Sequence, residues 1–515
     1  MDQKVKSLIC RPVHALVLIV LAINLSAGAN VTQAQTKPRI IITADPELDD
    51  SNSLIRFLLY STDYKIEGLI YTSSQFHWTG DGKGTKLSVP GREYTRFGLN
   101  LCPCESYRWA KGERFIDDIV ENYEKVYANL KIHNPNYPRP EELKSKIRFG
   151  NIEFDGDYSK DTPGSDLIKS LMLDDNNEPL YITAWGGQST IARALKSIQD
   201  QYEKTPEWSA IRAKILKKVI LLPSGDQDDT YAKYIKPNWP EMNYWQMGKG
   251  PNYSYGAQLR ATPENVDFTT SSWMNENVTS KGPLGSYYRV WGDGKQMVKG
   301  DIFDYFGLTG HTDDELKKMG YVVWMPIQEK GSWLGEGDNP TFMNMLANGL
   351  RAYEDGSYGG WGGRQVTPGI GMGFPDPTQK EEGPPFPNFW PAAQRDFAAR
   401  LKWSVTPRYE DANHEPIVRV KGSLTVTARA GKKVNLTGVV SDPDGDAVSI
   451  KWWQFKTGSY PGDITISNPT SANTEVVVPV DAIAGQTIHL ILEATDSGSL
   501  PLTRYQRIII HVDGK

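Results

Sequence analysis

The chain has 515 residues and a mass of 57.6 kDa. A single hydrophobic core does not usually support a chain of this length, so we expect a large domain and at least one further domain. Hydrophobic residues make up 39% and charged residues 23%, with a formal net charge of -5. Such a balance is typical of a soluble globular protein and gives no electrostatic basis for binding nucleic acid. The composition favours a carbohydrate or another small molecule as the partner.

The first residues have the pattern of a secretory signal peptide. Lys4, Lys6 and Arg11 precede an apolar run at 13–25, and small residues follow it. This run is shorter than the roughly 20 residues that a membrane-spanning helix needs, so an uncleaved anchor is the weaker alternative. We predict a signal peptide over residues 1–29, a secreted or periplasmic location, and no membrane attachment after cleavage.

Without that segment the chain keeps two cysteines, Cys102 and Cys104, in "NLCPCESY". They could form one small disulfide, belong to a metal site, or be incidental thiols in a surface loop. No second group of Cys or His completes a zinc tetrad. The fold therefore does not depend on a framework of disulfides.

From Ile40 onward, segments of strand and helix character alternate along the chain. The predicted strands are "RIIITAD", "KIEGLIYTSS", "PLYITAWGG" and the end of "AKILKKVILLPS"; the predicted helices are "DDSNSLIRFLLYS", "GERFIDDIVENYEKVYANL", "STIARALKSIQDQY" and "AAQRDFAARLKW". Continuous apolar strands between amphipathic helices predict an α/β domain with a mostly parallel sheet covered by helices. Ligands bind beyond the carboxyl ends of the strands in such sheets.

The last part of the chain has a different pattern. A segment rich in Gly and Pro at 369–391 predicts irregular structure. Short alternating segments then recur with turn residues between them, among them "KVNLTGVVS", "AVSIKWWQF", "TIHLILEATD" and "YQRIIIHV", which predicts an antiparallel, all-β, immunoglobulin-like sandwich. We therefore expect an α/β domain at 37–403, a linker at 404–416 and the sandwich at 417–515.

Four carboxylates follow the first strand in "TADPELDD": Asp45, Glu47, Asp49 and Asp50. Acids this close repel one another unless a cation or solvent neutralises them. Capping of the next helix accounts for Asp49 or Asp50, but it does not account for Asp45 directly after a buried strand as well. Oxygen ligands from a short loop are the usual way to hold Ca²⁺, so we expect calcium as a cofactor.

These residues resemble the first motif of the nucleoside hydrolases, D-x-D-x-x-x-D-D, at Asp45, Asp49 and Asp50, with Thr43 in place of the first Asp. A second segment, "AWGGQSTIARAL", is similar to the family's G-P-L-T-N followed by a helix. In that segment Ser189 falls where a backbone carbonyl ligates the metal.

Two later segments continue the resemblance. "PEMNYW" is similar to the family's E-F-N, and implies that Glu241 and Asn243 hold sugar hydroxyls. "GEGDNPTFMNMLANGL" places Asp338 before a predicted helix, where the family has a His-Asp pair, but Gly337 replaces the His that can protonate a departing base. The resemblance implies a calcium site formed by Asp45, Asp50, Asp338 and the carbonyl of Ser189.

Over residues 37 to 515 the chain resembles more closely a group of secreted bacterial proteins described as cellulose-binding, with a nucleoside hydrolase-like domain and a C-terminal Ig-like domain. The segments that carry this resemblance are "SSQFHWTGDG", "YITAWGG", "WLGEGDNPTF", "GGWGGR", "WWQF" and "LTRYQRIII". It implies a nucleoside hydrolase-like fold and a carbohydrate-type substrate.

If the chain is an enzyme, Asp45 is the expected general base for water attacking an anomeric carbon, and carboxylates stabilise the cationic sugar that forms. Asp49, Glu241 and Asn243 would bind the sugar hydroxyls. His77 and Gln75 follow the second strand and could reach the same rim, although a His beside a Trp is often a packing residue.

Aromatic and charged residues elsewhere add further candidates. Trp245, Trp333 and Trp361 are candidates for stacking against a sugar ring, and Arg364 could pair with an acid of the site. The spacing of acids in "DPDGDAV" at 442–448 is compatible with a calcium loop or with a hairpin turn closed by Asx hydrogen bonds.

Three functions remain open. The first is a calcium-dependent glycosidase acting on the N- or O-glycosidic bond of a carbohydrate or glycoside. The second is a cellulose- or polysaccharide-binding protein whose hydrolase domain is degenerate, and the third is a ribonucleoside hydrolase. A secreted location and an accessory β-sandwich favour the first two, and the sequence leaves the oligomeric state open.

Overall fold

The computed structural model describes residues 37–514 except Phe97, Lys249 and residues 367–385. The predicted signal peptide lies outside the described residues, and so does most of the irregular segment predicted at 369–391. Within the described part of the chain, no helix is both long and apolar enough to cross a membrane.

A parallel sheet forms the centre of the first domain, as predicted. Its strands are β1 (Arg39–Ala44), β2 (Lys65–Tyr71), β3 (Ile147–Phe149), β4 (Leu180–Ala184), β5 (Val219–Pro223) and β6 (Asn243–Tyr244). They lie in the order β3-β2-β1-β4-β5-β6, and every neighbouring pair is parallel. Because β1 lies between β2 and β4, the loops that follow these three strands meet at one edge of the sheet.

Helices cover this sheet. They are α1 (Leu48–Leu59), α2 (Phe115–His133), α3 (Pro140–Lys144), α4 (Pro163–Leu173), α5 (Ser189–Tyr202) and α6 (Trp208–Lys218). All residues of α1 are buried, including Arg56, which forms an ion pair with Glu336 at 2.5 Å. The side-chain amide of Asn52 donates to the carbonyls of Arg289 and Gly335, at 3.0 Å each. The helix that begins in the acidic segment is therefore held by distant parts of the chain.

The region between β5 and the last helix consists mostly of short elements and long loops. Besides β6, its elements are α7 (Lys236–Asn238), β7 (Gln246–Met247), α8 (Ser271–Met274), α9 (Gly282–Tyr287), α10 (Asp313–Lys318) and β8 (Gln365–Val366), and it ends at α11 (Trp390–Ser404). The helix predicted after Asp338 is instead two short 3₁₀ turns at Asn339–Thr341 and Met343–Met345. Cys102 and Cys104 form a disulfide.

The C-terminal domain is all β, as predicted. Its strands are β9 (Ile417–Val420), β10 (Thr425–Arg429), β11 (Lys433–Ser441), β12 (Ser449–Phe455), β13 (Ile466–Ser467), β14 (Asn473–Val477), β15 (Thr487–Thr495) and β16 (Thr503–Asp513). One sheet has the order β10-β16-β15-β12 and the other β13-β14-β11-β9. The pairing is antiparallel except between β10 and β16, which are parallel.

The sandwich packs directly against α11. Asp396 on α11 accepts hydrogen bonds from Arg400, at 3.0 Å, and from Arg504 on β16, at 2.5 Å. Aromatic rings surround this contact, with Phe389 lying 5.7 Å from Tyr505 between ring centroids. A buried ion network inside an apolar contact therefore fixes the two domains to each other.

Candidate functional site

The acidic segment lies where the loops after β1, β2 and β4 meet. Asp45 follows β1, and one of its carboxylate oxygens accepts a hydrogen bond from the hydroxyl of Ser74, which follows β2. Gly186 follows β4, and a Cβ at this position would lie 2.9 Å from the carboxyl carbon of Asp45. The parallel sheet thus brings three loops into contact around one carboxylate.

Five carboxylates gather at this point: Asp45, Glu47, Asp49, Asp50 and Asp338. Asp338 comes from a loop far along the chain and joins the four acids predicted from the first motif. All are buried except Glu47, which is half-buried. Glu47 precedes the first residue of α1, and its side chain makes no capping hydrogen bond. Helix capping therefore does not account for this acid.

The pKa values of all five groups are raised. Burial is the largest cause for Asp45, whose pKa is raised to about 7, and for Asp49, whose pKa is raised to about 6. For Glu47, Asp50 and Asp338 burial is again the largest cause, and the pKa lies well above the ordinary value. A cluster of this kind needs positive charge or bound protons to remain folded.

Few hydrogen-bond donors among the described residues contact the oxygens of these carboxylates. The backbone N–H of Asp45 donates to Oδ1 of Asp50 at 3.0 Å, and Asp49 accepts from the hydroxyl of Tyr255 at 3.0 Å and from the N–H of Gly337 at 3.1 Å. Oδ1 of Asp45 is buried and has no hydrogen-bond partner among the described residues. This oxygen is positioned to bind a group from outside the chain.

Neither Lys nor Arg forms an ion pair with any of the five carboxylates in the described part of the chain. The guanidinium whose charge acts on Glu47 is that of Arg108, but it is already paired with Glu93 at 2.9 Å and Asp301 at 2.7 Å. The protein therefore supplies little positive charge of its own to this cluster.

His77 and Gln75 lie beside the cluster. The ring of His77 is fully buried, and its Nδ1 donates to the carbonyl of Arg108 at 2.7 Å, while Nε2 has no partner among the described residues. Ligand atoms of His77, Asp45 and Glu47 lie within 4.8 Å of one another. Burial, followed by the charge of Arg108, lowers the pKa of His77 well below 6.5, so the imidazole is neutral. Gln75 is also buried, and its backbone N–H donates to the backbone carbonyl of Gln227 at 3.2 Å.

A cavity of about 310 Å³ opens above the carboxylates. Glu47, Asp49, Asp50 and Asp338 line it. Its other walls combine polar and charged groups, such as Arg96 and Arg108, with the aromatic side chains of Phe76, Trp185, Tyr255, Phe303, Phe306 and Trp324. Trp324 is 43% exposed and forms edge-to-face contacts with Tyr255 and Phe306 at 5.2 and 5.3 Å.

The structure places Glu241 and Asn243 away from this cavity, contrary to the prediction. Glu241 is exposed and forms an ion pair with Arg212 at 2.7 Å, while the amide of Asn243 donates to the carbonyl of Leu216 at 2.8 Å. Both side chains contact α6, since β6 pairs with the strand that follows that helix. The residues of this segment that reach the cavity are Gln246 and Met247.

The three tryptophans predicted to stack on sugar do not line the cavity either. Trp333 and Trp361 are core residues, with exposures of 0% and 1%, and Trp245 packs against Tyr181 at 6.4 Å. The sequence favoured them because an aromatic face can stack on a sugar ring, a property that tryptophans in a packed core share. Arg364 donates to the carbonyl of Lys456 in the sandwich at 3.2 Å and does not pair with an acid of the site.

Ser189 begins α5, as predicted. Its N–H donates to Oδ2 of Asp228 at 2.9 Å, and its hydroxyl accepts from Asn151 at 2.8 Å. These contacts fix the turn between β4 and α5, while the role of its carbonyl as a metal ligand stays a prediction. In the distant "DPDGDAV" segment, Oδ1 of Asp442 accepts from the N–H groups at 444 and 446, as in an Asx-closed turn. Carboxylate oxygens of Asp442, Asp444 and Asp446 also lie within 4.8 Å of one another, so the calcium alternative stays a prediction.

Several residues of the site could not be found from sequence spacing: Ser74, Phe76, Arg108, Tyr255, Phe306 and Trp324. Each comes from a loop with no motif of its own. The one signal in the sequence was the "SSQFHW" segment, which contains Ser74, Phe76 and His77 and begins at the carboxyl end of the second predicted strand.

Residues 39–365 match the family model described as cellulose-binding Sde182, nucleoside hydrolase-like domain. The chain belongs to this family. Residues 433–512 match the model described as the C-terminal domain of cellulose-binding protein Sde0182. The matches confirm the family and the fold predicted from the motifs.

Among solved structures, a nucleoside hydrolase-related hypothetical protein from Saccharophagus degradans, described as associated with carbohydrate metabolism, is 26% identical to this Sde182 family member. The similarity covers 93% of this chain and 100% of that one, with a TM-score of 0.67. A PKD domain is 16% identical over 18% of this chain and 81% of that one, but its TM-score of 0.14 supports no further comparison. No curated protein matches the chain.

Proposed function

We propose that this Sde182 family member is a secreted, calcium-dependent glycosidase that cleaves an N- or O-glycosidic bond of a carbohydrate-type substrate with water. The observation that carries the proposal is the buried Oδ1 of Asp45, which has no partner among the described residues and belongs to a cluster of acids beneath a cavity of about 310 Å³. Unpaired buried carboxylates are costly to stability, and acids with raised pKa values in a cleft are a common mark of an active site.

The residues present fit a calcium ion. The donors are hard carboxylate oxygens, the cluster lacks an ion-pair partner among the described residues, and Asp45 Oδ1 is free to ligate. Asp45, Asp50, Asp338 and the carbonyl of Ser189 would hold the ion. When bound, it would lower the pKa of a water molecule in the site.

The chemistry then depends on the residues around the cavity. Asp45, fixed by the Ser74 hydroxyl, would accept one proton of the water that attacks the anomeric carbon as the glycosidic bond breaks, and the leaving group would take a proton from solvent. Asp49, held by Tyr255 and Gly337, keeps lone pairs that can accept a sugar hydroxyl. The remaining negative charge would stabilise the oxocarbenium-like transition state.

The volume of the cavity supports a mono- or disaccharide unit at the end of a chain as the substrate. Its 310 Å³ is at the lower end of the roughly 300 to 1,000 Å³ found for small-molecule sites, which is room for one or two rings rather than the middle of a polymer. Trp324 and Phe306 offer apolar ring faces of the kind that pack against the C–H face of a pyranose.

Two features favour a carbohydrate over a ribonucleoside. Gly337 offers no side chain where the resemblance places the His that protonates a base, and Glu241 and Asn243 do not reach the cavity to hold a ribose. The description of the family as cellulose-binding also supports a carbohydrate.

A polysaccharide-binding protein without activity is the second candidate. The exposed face of Trp324 supports it, since an aromatic ring at the mouth of a cavity binds sugar whether or not a bond is cleaved.

The test is hydrolysis by the mature chain, before and after chelation, of a panel of nitrophenyl glycosides, plant oligosaccharides and nucleosides. We expect release from at least one glycoside, loss of activity on chelation, and recovery with Ca²⁺. Asp45→Asn should lose at least about 10³-fold in kcat, in the range seen when a catalytic group is removed. Asp200→Asn, at an exposed position on α5, is the control and should keep full activity. Sugar binding without any hydrolysis would favour the second candidate.

A further inference from the structure

We propose that the site has a second cation position, formed by Asp45, Glu47 and His77, which takes a transition metal of the Zn²⁺ class beside the proposed calcium. The ligand atoms of these three residues lie within 4.8 Å of one another. The proposal rests on the proposed function only for the neighbouring calcium position; the second position stands on its own geometry.

The hydrogen bonding of His77 is that of a metal ligand. Its Nδ1–H donates to the carbonyl of Arg108 at 2.7 Å, which fixes the ring and the tautomer and leaves the lone pair on Nε2. Ligating histidines are commonly held in this way by a carbonyl behind the ring. A ring nitrogen of His77 lies within 4.8 Å of carboxylate oxygens of Asp45 and Glu47, and because Nδ1 is engaged by Arg108, the available ligand atom is Nε2, which is buried and has no partner among the described residues. Burying such an acceptor without a partner is unfavourable.

Glu47 also lies beside Asp50, a ligand of the proposed calcium position. A second group of ligand atoms, from Glu47, Asp49 and Asp50, also lies within 4.8 Å, so Glu47 belongs to both groups. Two ions held by such neighbouring carboxylates would share the charge of the cluster, as in known two-metal sites. Glu47 occupies a variable position of the nucleoside hydrolase motif, so that resemblance alone does not predict this ligand.

The negative charge of the five carboxylates is consistent with two bound divalent ions. One divalent ion compensates two of the five carboxylates, and Arg108 is already paired with Glu93 and Asp301. A second divalent ion would bring the total positive charge close to that of the acids. Such neutralisation lowers the free-energy cost of burying like charges together.

The nitrogen ligand determines the class of metal. Calcium and magnesium prefer oxygen donors, whereas imidazole with carboxylate suits zinc and its transition-metal neighbours. The position of Asp45, Glu47 and His77 should therefore bind Zn²⁺ in the presence of saturating Ca²⁺.

The experiment is a calorimetric titration of the mature, chelator-treated chain with Zn²⁺ in saturating Ca²⁺, together with metal analysis after desalting. We expect one Zn²⁺ per chain. His77→Gln should weaken Zn²⁺ binding at least about tenfold and leave Ca²⁺ binding in place. His511→Gln, at an exposed position of the sandwich, is the matched control and should bind Zn²⁺ as the unchanged protein does.

A second measurement does not depend on a variant. In protein labelled with ¹⁵N-histidine, Zn²⁺ should shift the Nε2 resonance of His77 while its Nδ1 stays protonated towards Arg108. Failure to bind Zn²⁺ in saturating Ca²⁺, equal binding by His77→Gln, or an unmoved Nε2 resonance would overturn the second position. Zn²⁺ binding through His77 in a chain that neither binds Ca²⁺ nor hydrolyses glycosides would overturn the proposed function alone.

Discussion

The backbone N–H of Gly337 donates to Oδ2 of Asp49 at 3.1 Å, and a Cβ at position 337 would lie 2.3 Å from that oxygen. The His that the family resemblance places here does not fit beside this carboxylate. Glycine at position 337 therefore both removes the His of the family motif and leaves room for the carboxylate of Asp49.

Gly337→Ala tests this relationship. The new methyl group must displace Asp49, which loses its hydrogen bonds to Gly337 and Tyr255, so we expect at least a tenfold loss of glycosidase activity. We also expect a loss of roughly 1–3 kcal/mol in the free energy of unfolding, the usual cost of overpacking. Activity assays and urea unfolding measure both effects, and an alanine variant with unchanged activity would contradict the close contact.

Trp324 should contribute to binding at the mouth of the cavity. Trp324→Ala removes an aromatic contact of about 1 kcal/mol, so we expect roughly fivefold weaker binding of an oligosaccharide substrate, measured as KM or by calorimetry. Trp324→Phe keeps an aromatic face and should retain most of the affinity. Equal affinity of the alanine variant would exclude Trp324 from the binding surface.

His489 in β15 should make stability depend on pH. Burial, together with the neighbouring Arg507, lowers its pKa to about 3, and its Nδ1 accepts from Arg507 at 2.9 Å. The unfolded chain binds a proton here below about pH 6.5 but the folded chain does not. The contribution of the neutral ring to stability is therefore complete above about pH 6.5 and is lost as the pH falls towards 3, by up to about 1.4 kcal/mol per pH unit.

Urea unfolding between pH 7 and 4 measures this dependence. His489→Gln keeps an acceptor for Arg507 but does not titrate, so its free energy of unfolding should fall less steeply with decreasing pH. His511→Gln, at an exposed position, should show the slope of the unchanged protein. Equal slopes for all three proteins would contradict the neutral state of His489.

Arg504 should be important for the contact between the two domains. Arg504→Met leaves the buried Asp396 with one partner, Arg400, and breaking a buried ion pair costs about 3–5 kcal/mol. Arg429→Met is the matched control, because Arg429 pairs with Asp513 at 3.9 Å on the surface, where such pairs contribute at most about 1 kcal/mol. Equal thermal stability of the two variants would show that the ion network does not hold the domains.

The strands and helices of both domains were predictable where their pattern is local. α5 and most strands of the sandwich agree with their apolar periodicity, and β1 with its continuous apolar run, because these patterns are formed by consecutive residues. The two-residue strands β6, β7, β8 and β13 were missed, because two residues are too few to show an alternation of apolar and polar side chains. The parallel pairing of β10 with β16 was also missed, because strand direction depends on distant contacts.

The sequence by itself determined the acidic end of β1, with Asp45, Asp49 and Asp50, because helix capping uses only one of the acids that follow this buried strand. The motif order also identified Asp338. The position of His77 after the second strand was also recognised in the sequence, whereas only the tertiary structure decided that Tyr255 and Trp324, from loops far along the chain, join the acids at the cavity. It likewise placed Trp333 in the core and Glu241 at the surface. Burial depends on what packs from elsewhere in the chain, and the local sequence does not record that.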